Sequence, residues 1–138
     1  MVKKMIEKEW ISEIVGNKPL RAFVWGGDRP ATMTGVVRLS LDMQISGGVR
    51  VPKNAEVFGI EADGKIVSWA AAWQPDRHGI RQITVETDIA YRGRGYAAEC
   101  LKALAEEISE PLLYLCKHNN IASAKTAIKA GFVEVIFK

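Results

Sequence analysis

Residues 88–98 read Asp88, Ile89, Ala90, Tyr91, Arg92, Gly93, Arg94, Gly95, Tyr96, Ala97 and Ala98. Two glycines two positions apart, interleaved with two arginines and leading into an amphipathic stretch, have the chemistry of an anion-binding turn. A helix start leaves backbone N–H groups without intrahelical partners and carries a partial positive charge, while glycine lets the backbone approach a phosphate closely. Arg92 and Arg94 add mobile positive charge. An ordinary strand-to-helix turn with two solvated arginines has the same composition, so spacing must discriminate. A Walker loop needs a Lys-Ser/Thr pair, and none follows Gly93 or Gly95. The run from Gly93 to Ala98 matches Gly-x-Gly-x-x-Gly/Ala, the dinucleotide fingerprint, whose acidic partner should end the next strand. Lys117, His118 and Asn119 stand there instead, and residues 88–92 separate the preceding strand from the glycines. A dinucleotide site is not expected.

The elements that must position this turn are legible from periodicity. Upstream, 57–60 and 66–73 flank Asp63-Gly64, a dipeptide that supplies positive φ in tight hairpins, and 80–87 is rich in β-branched residues. A three-stranded meander follows. Downstream, Ala97, Leu101, Leu104, Ala105 and Ile108 recur at helical spacing and stop before Pro111. A short buried strand is expected over 112–116. Asn120 can cap a second helix whose Ala124 and Ile128 share a face, with Gly131 in the terminating place and a last strand over 133–137. Near the start, Met5, Ile6, Trp10, Ile14 and Val15 predict an amphipathic helix ending near Gly16 and Asn17. Prolines and glycines between 19 and 52 cut the chain into short pieces such as 20–25 and 36–41.

Composition excludes several classes. The 138 residues carry a net charge of +3 without a basic run, so no nucleic-acid surface is expected. Cys100 and Cys116 lack any metal-ligand or disulfide spacing, and both read as core residues, with no metal expected. The charged amino-terminal segment lacks the apolar stretch of a signal peptide or a membrane span, which makes the cytoplasm the expected location.

Arg92, Gly93, Arg94, Gly95, Tyr96 and Ala97 also match Arg/Gln-x-x-Gly-x-Gly/Ala, the pyrophosphate loop of acetyl-CoA enzymes. A second stretch, Asn120, Ile121, Ala122 and Ser123 in a helix closing on Gly131-Phe132, resembles the Asn-x-x-Ser/Ala motif of the same family. Together the two motifs, in order, resemble the GNAT superfamily of N-acetyltransferases over about 56–132, while 1–55 resembles no named family. The resemblance implies one α+β domain over 1–138, with a mixed, mainly antiparallel sheet flanked by helices. It implies an acetyl-CoA-dependent transfer to an amine of a small molecule or a protein. Val85, Glu86 and Thr87 would pair with the pantetheine arm, the amides of 93–97 with Arg92 and Arg94 would hold the pyrophosphate, and Asn120 and Ser123 would flank the arm.

On that reading Glu86 is the candidate base for the acceptor amine, with Asp88 and His78 as alternates; each could equally be a solvated charge. The family's tyrosine that protonates the departing thiolate falls on Ala127, leaving Tyr114 and Tyr96 as candidate acids. A catalytically impaired acyl-CoA-binding module with a regulatory or interaction role is the alternative that Ala127 leaves open. Trp69 and Trp73 share a strand face, either in the core or lining the acceptor cleft. Only one strand follows Phe132 where the family usually has two. An edge left open would be covered by a partner chain, giving a homodimer, or by the amino-terminal segment.

Overall fold

The computed structural model describes residues 6–26, 35–39, 45–47 and 49–136. Its elements are α1 (Lys8–Val15), β1 (Leu20–Trp25), β2 (Val36–Arg38), β3 (Ala55–Ala62), β4 (Lys65–Trp73), β5 (Arg81–Thr87), a 3₁₀ turn (Ile89–Tyr91), α2 (Tyr96–Glu107), β6 (Leu112–Lys117), α3 (Ile121–Lys129) and β7 (Phe132–Val135). The strands form one seven-stranded sheet in the order β2-β3-β4-β5-β6-β1-β7. Every pairing is antiparallel except β5 with β6, so the expected mixed, mainly antiparallel sheet is present. Asp63 and Gly64 both have positive φ, the geometry the β3–β4 hairpin needs.

Alternation along each strand sorts side chains onto two faces. One face packs Ile83, Ala70, Ala72, Tyr114 and Phe132 against Ala98, Leu101, Leu104, Ala105, Ala124 and Ala127 of α2 and α3. The other meets α1, whose Ile11 and Val15 pack on Ala22 and Leu113. Farther along that face Trp69, Val57 and Ala71 pack with Val49. Cys100 is fully buried and Cys116 nearly so, both as free thiols, in keeping with the core reading. The first helix is confined to Lys8–Val15, and Met5 lies outside the described residues. Of the short piece at 36–41, Val36–Arg38 is strand β2, and 40 and 41 lie outside the described residues. The last strand starts at Phe132 and ends at Val135, and 137 lies outside the described residues.

The amino-terminal strand is built into the end of the sheet that the last strand forms. β1 lies between β6 and β7, pairing Leu20 with Lys117 on one side and Trp25 with Phe132 on the other. The amino-terminal segment thus enters this end of the sheet, but β7 is the outermost strand there and pairs on one side only among the described residues. A bidentate ion pair clamps the insertion: Arg21 Nε and Nη2 donate to Glu134 Oε2 and Oε1 at 2.8 and 2.7 Å. The hydrogen bonds from Arg21 hold the Glu134 carboxyl below its ordinary value of 4.5. A depressed carboxylate stabilises the fold above its unfolded pKa and loses that contribution as pH falls through the folded one. Glu134→Gln should therefore lower the melting temperature by roughly 3 °C at pH 7. The gap between variant and parent should close as pH drops below 4.5. A gap that persists unchanged in acid would show that the pair is not its source.

Among the described residues no helix is long and apolar enough to cross a membrane.

Candidate functional site

β5 and β6 separate. They pair only at Arg81↔Leu112, Gln82↔Leu113 and Ile83↔Tyr114, although β5 continues to Thr87 and β6 to Lys117. Each remains tied to its other neighbour, β5 to β4 through Ser68↔Thr87 and β6 to β1 through Leu20↔Lys117, so the two diverge as a V. The closed end is fastened by buried Arg81, whose guanidinium donates to the carbonyls of Ala72 and Trp73 and to Glu56. Its backbone N–H donates to Pro111 O at 2.9 Å. A strand arginine reads from sequence as solvent-facing, so this anchor was not legible there.

Strand alternation gives the gap its chemistry. The Arg81 N–H points toward β6 and the Asp88 N–H toward β4, where it donates to Val67 O at 2.8 Å. Odd-numbered residues of β5 therefore turn their backbone groups toward β6, and at Val85 and Thr87 no strand lies opposite among the described residues. Thr87 O accepts from Arg92 Nε at 3.2 Å, and Thr87 Oγ1 shares a 2.7 Å hydrogen bond with Ser68 Oγ. Sequence reading missed Ser68, since nothing local marks a buried serine as the brace of a facing strand.

Glu86 projects the other way. It lies opposite Trp69, which packs on the face away from α2 and α3, and its Oε1 accepts the Arg50 N–H at 3.3 Å. Trp69 is buried and Trp73 sits at the rim, donating from Nε1 to Thr84 Oγ1 at 2.8 Å. One tryptophan is therefore core and the other lines the exposed end. The two alternate bases are engaged elsewhere. Asp88 is buried, accepts the Ala90 N–H and bonds Ser46, a contact that holds its carboxyl below the ordinary value. His78 stacks on Trp10 with ring centroids 4.3 Å apart, in the loop before the closed end of the V. It is not at the opening.

Beyond Thr87 the 3₁₀ turn carries the chain into the glycine loop, where Gly93 and Gly95 have φ of 81° and 80°. Gly95 is the N-cap of α2 and offers no side-chain cap, which leaves first-turn N–H groups to an external acceptor. Arg94 lies over the Tyr91 ring at 4.9 Å, and Tyr91 OH bonds Asp63 in the β3–β4 turn. Tyr96 is half-buried against the α2 face of the core, and Ala97 is half-buried one residue on.

On the far side of the gap Asn120 caps α3, its Oδ1 accepting the Ser123 N–H at 3.1 Å. Tyr114 is buried and its hydroxyl donates to Ser123 O at 3.1 Å and shares a 2.7 Å bond with Ser123 Oγ. Burial pushes the Tyr114 phenol up, partly offset by the Ser123 hydrogen bond. Ala127, one helical turn past Ser123 on the same face, is fully buried. Among the described residues no group of three His, Cys, Asp or Glu side chains is placed to hold a metal ion.

With that geometry in place, comparison with known proteins is informative. The acetyltransferase (GNAT) family model matches residues 21–132, which extends the resemblance well ahead of residue 56 and takes in β1. The uncharacterised N-acetyltransferase YjdG of Bacillus subtilis is 33% identical over 64 residues, 43% of this chain and 38% of that protein. A GNAT-family acetyltransferase structure from Novosphingobium aromaticivorans superposes with a TM-score of 0.64 at 20% identity, covering 86% of this chain and 60% of that one. One from Colwellia psychrerythraea gives 0.60 at 18%, covering 84% and 52%. At such identities the two structures speak for the fold alone. The matches span less than two thirds of each of these relatives. The family match covers well over half of the chain, and this chain therefore belongs to the acetyltransferase (GNAT) family.

Proposed function

We propose that this domain is an N-acetyltransferase that moves an acetyl group from acetyl-CoA to an amine by direct attack on the thioester. The observation that carries the reading is the V between β5 and β6, with the backbone of Val85 turned into it and no strand opposite. The chain's residues also fit the phosphates. Gly95 lacks the side chain that would narrow the approach, and the α2 start has no cap of its own.

Bound acetyl-CoA supplies a thioester carbonyl as acyl donor. The Val85 N–H and C=O bind an amide-bearing arm as an added strand would, and that N–H can carry negative charge developing on a carbonyl oxygen. Asn120 keeps its amide nitrogen for the same arm, since only its oxygen caps α3 among the described residues. Gly93, Arg94, Gly95, Tyr96 and Ala97 offer their amides to the pyrophosphate, beside the charge of Arg92.

Glu86 serves an amine arriving from the face away from α2, so donor and acceptor reach the gap from opposite sides of the sheet. Its carboxylate takes the ammonium proton directly or through water. The acid role falls to the Tyr114 hydroxyl, which is paired with Ser123 Oγ and whose phenol burial pushes up. A covalent acyl-cysteine route is disfavoured, because burial pushes the Cys100 thiol up to about 12 and also raises Cys116.

Acetyl-CoA at a hundredfold excess over its Kd should raise the melting temperature by roughly 9 °C, whereas NAD and ATP should leave it unchanged. No shift at millimolar acetyl-CoA would overturn the cofactor reading. A shift without thiol release across a panel of small-molecule and peptide amines would favour the impaired, acyl-CoA-binding module, a reading that buried Ala127 keeps in play.

A further inference from the structure

Lys129 is the last residue of α3, and on sequence it reads as a basic side chain complementing the helix's negative end. Its ammonium is turned elsewhere. A Cβ built on Gly95 would stand 2.8 Å from Lys129 Nζ, which puts this cation directly over the glycine that begins α2. The position is electrostatically poor in isolation, since the start of a helix is itself positive and Arg92 and Arg94 lie in the same loop. Both arginines have partners, Arg92 on Thr87 O and Arg94 on the Tyr91 ring. Lys129 makes no hydrogen bond or ion pair among the described residues.

Lys129 is exposed, and an untied ammonium lying over uncapped N–H groups in the loop that carries Arg92 and Arg94 is arranged for an anion between them. We propose that Lys129 clamps the pyrophosphate of the acyl carrier from above, completing from α3 a site whose floor is the start of α2. The assignment rests on the acetyl-CoA reading and adds to it a specificity: the clamp acts on the pyrophosphate and not on the 3′-phosphate. Because α3 also carries Asn120 and Ser123, one helix would then grip both the phosphates and the arm.

Calorimetric titration of CoA and of 3′-dephospho-CoA tests this on the parent, Lys129→Met and Lys129→Arg. Lys129→Met should weaken both ligands by about tenfold and flatten the salt dependence of binding, while Lys129→Arg should stay within about threefold of the parent. Equal affinity of Lys129→Met and parent would overturn the clamp. A loss confined to CoA would move the lysine to the 3′-phosphate and overturn it as well. A parent that binds neither ligand would sink the acetyl-CoA reading itself, a failure visible before any variant is made. Circular dichroism and an unchanged melting temperature without ligand establish that each variant is folded.

Discussion

Replacing Glu86 by glutamine is expected to lower turnover at pH 7 by about 10²-fold while leaving affinity for acetyl-CoA intact. The reason lies in the acceptor. An α-amine titrates near roughly 8 and a lysine side chain near roughly 10.4, so at neutral pH the nucleophile arrives mostly as an ammonium ion. Glutamine keeps the size of the side chain and can still receive the Arg50 N–H through its amide oxygen. What it loses is the site for the proton. The deficit should therefore shrink as pH rises and solvent deprotonates the amine, and the pH profile separates loss of a base from loss of shape. The structure narrows the alternatives, since Asp88 is tied to Ser46 and Ala90 and His78 to Trp10. If Glu86→Gln turns over like the parent at neutral pH, the proton goes to water and the assignment to Glu86 fails.

Gly95→Val should weaken acetyl-CoA binding by more than about 10²-fold, the larger of two glycine-loop effects. Backbone strain and obstruction combine there. Gly95 sits at a φ of 80°, where a β-branched residue is strained, and a side chain there would fill the space over the start of α2, displacing the movable end of Lys129. Gly93 supplies the control, because its φ of 81° imposes the same backbone strain with nothing within 4 Å of a Cβ. Gly93→Val should lose stability like its neighbour but lose less binding, and the excess at position 95 measures obstruction of the phosphate. Equal losses at both positions would assign the effect to backbone strain. Unchanged affinity in a folded Gly95→Val protein would place the ligand elsewhere.

What could be read from sequence was what local chemistry decides. Asp63-Gly64 fixes its hairpin through two positive φ values, Asn120 caps α3 with its own side chain, and the glycine loop announces itself by composition. The parity that sets Trp69 and Trp73 on one face of their strand is likewise local, whereas setting Glu86 opposite Trp69 takes the register between β4 and β5. The rest depends on partners distant in the chain. Residues 20–25 were recognisable as a short apolar piece, but nothing in them says that their neighbours are β6 and β7. Arg81 is buried because Glu56 and two carbonyls of β4 converge on it. Lys129 reaches Gly95 only through the way α3 crosses α2, and a lysine in a last helical turn has an ordinary explanation that conceals the other one.

The insertion of β1 between β6 and β7 also orders events in time. A strand made early has to wait for the two strands that flank it, both of which emerge from the ribosome after most of the chain has been synthesised. Pairings of such long sequence separation fold slowly, and until they form Ala22 and Phe23, both buried in the finished sheet, are presented to the surroundings. One rim of the V belongs to β6, which β1 holds along almost its whole length. The opening therefore takes shape only when the earliest strand has met β6, and β1 is covered on its other side only once β7 arrives, so nascent chains and carboxyl-terminal truncations should accumulate as aggregation-prone species rather than as partly active ones.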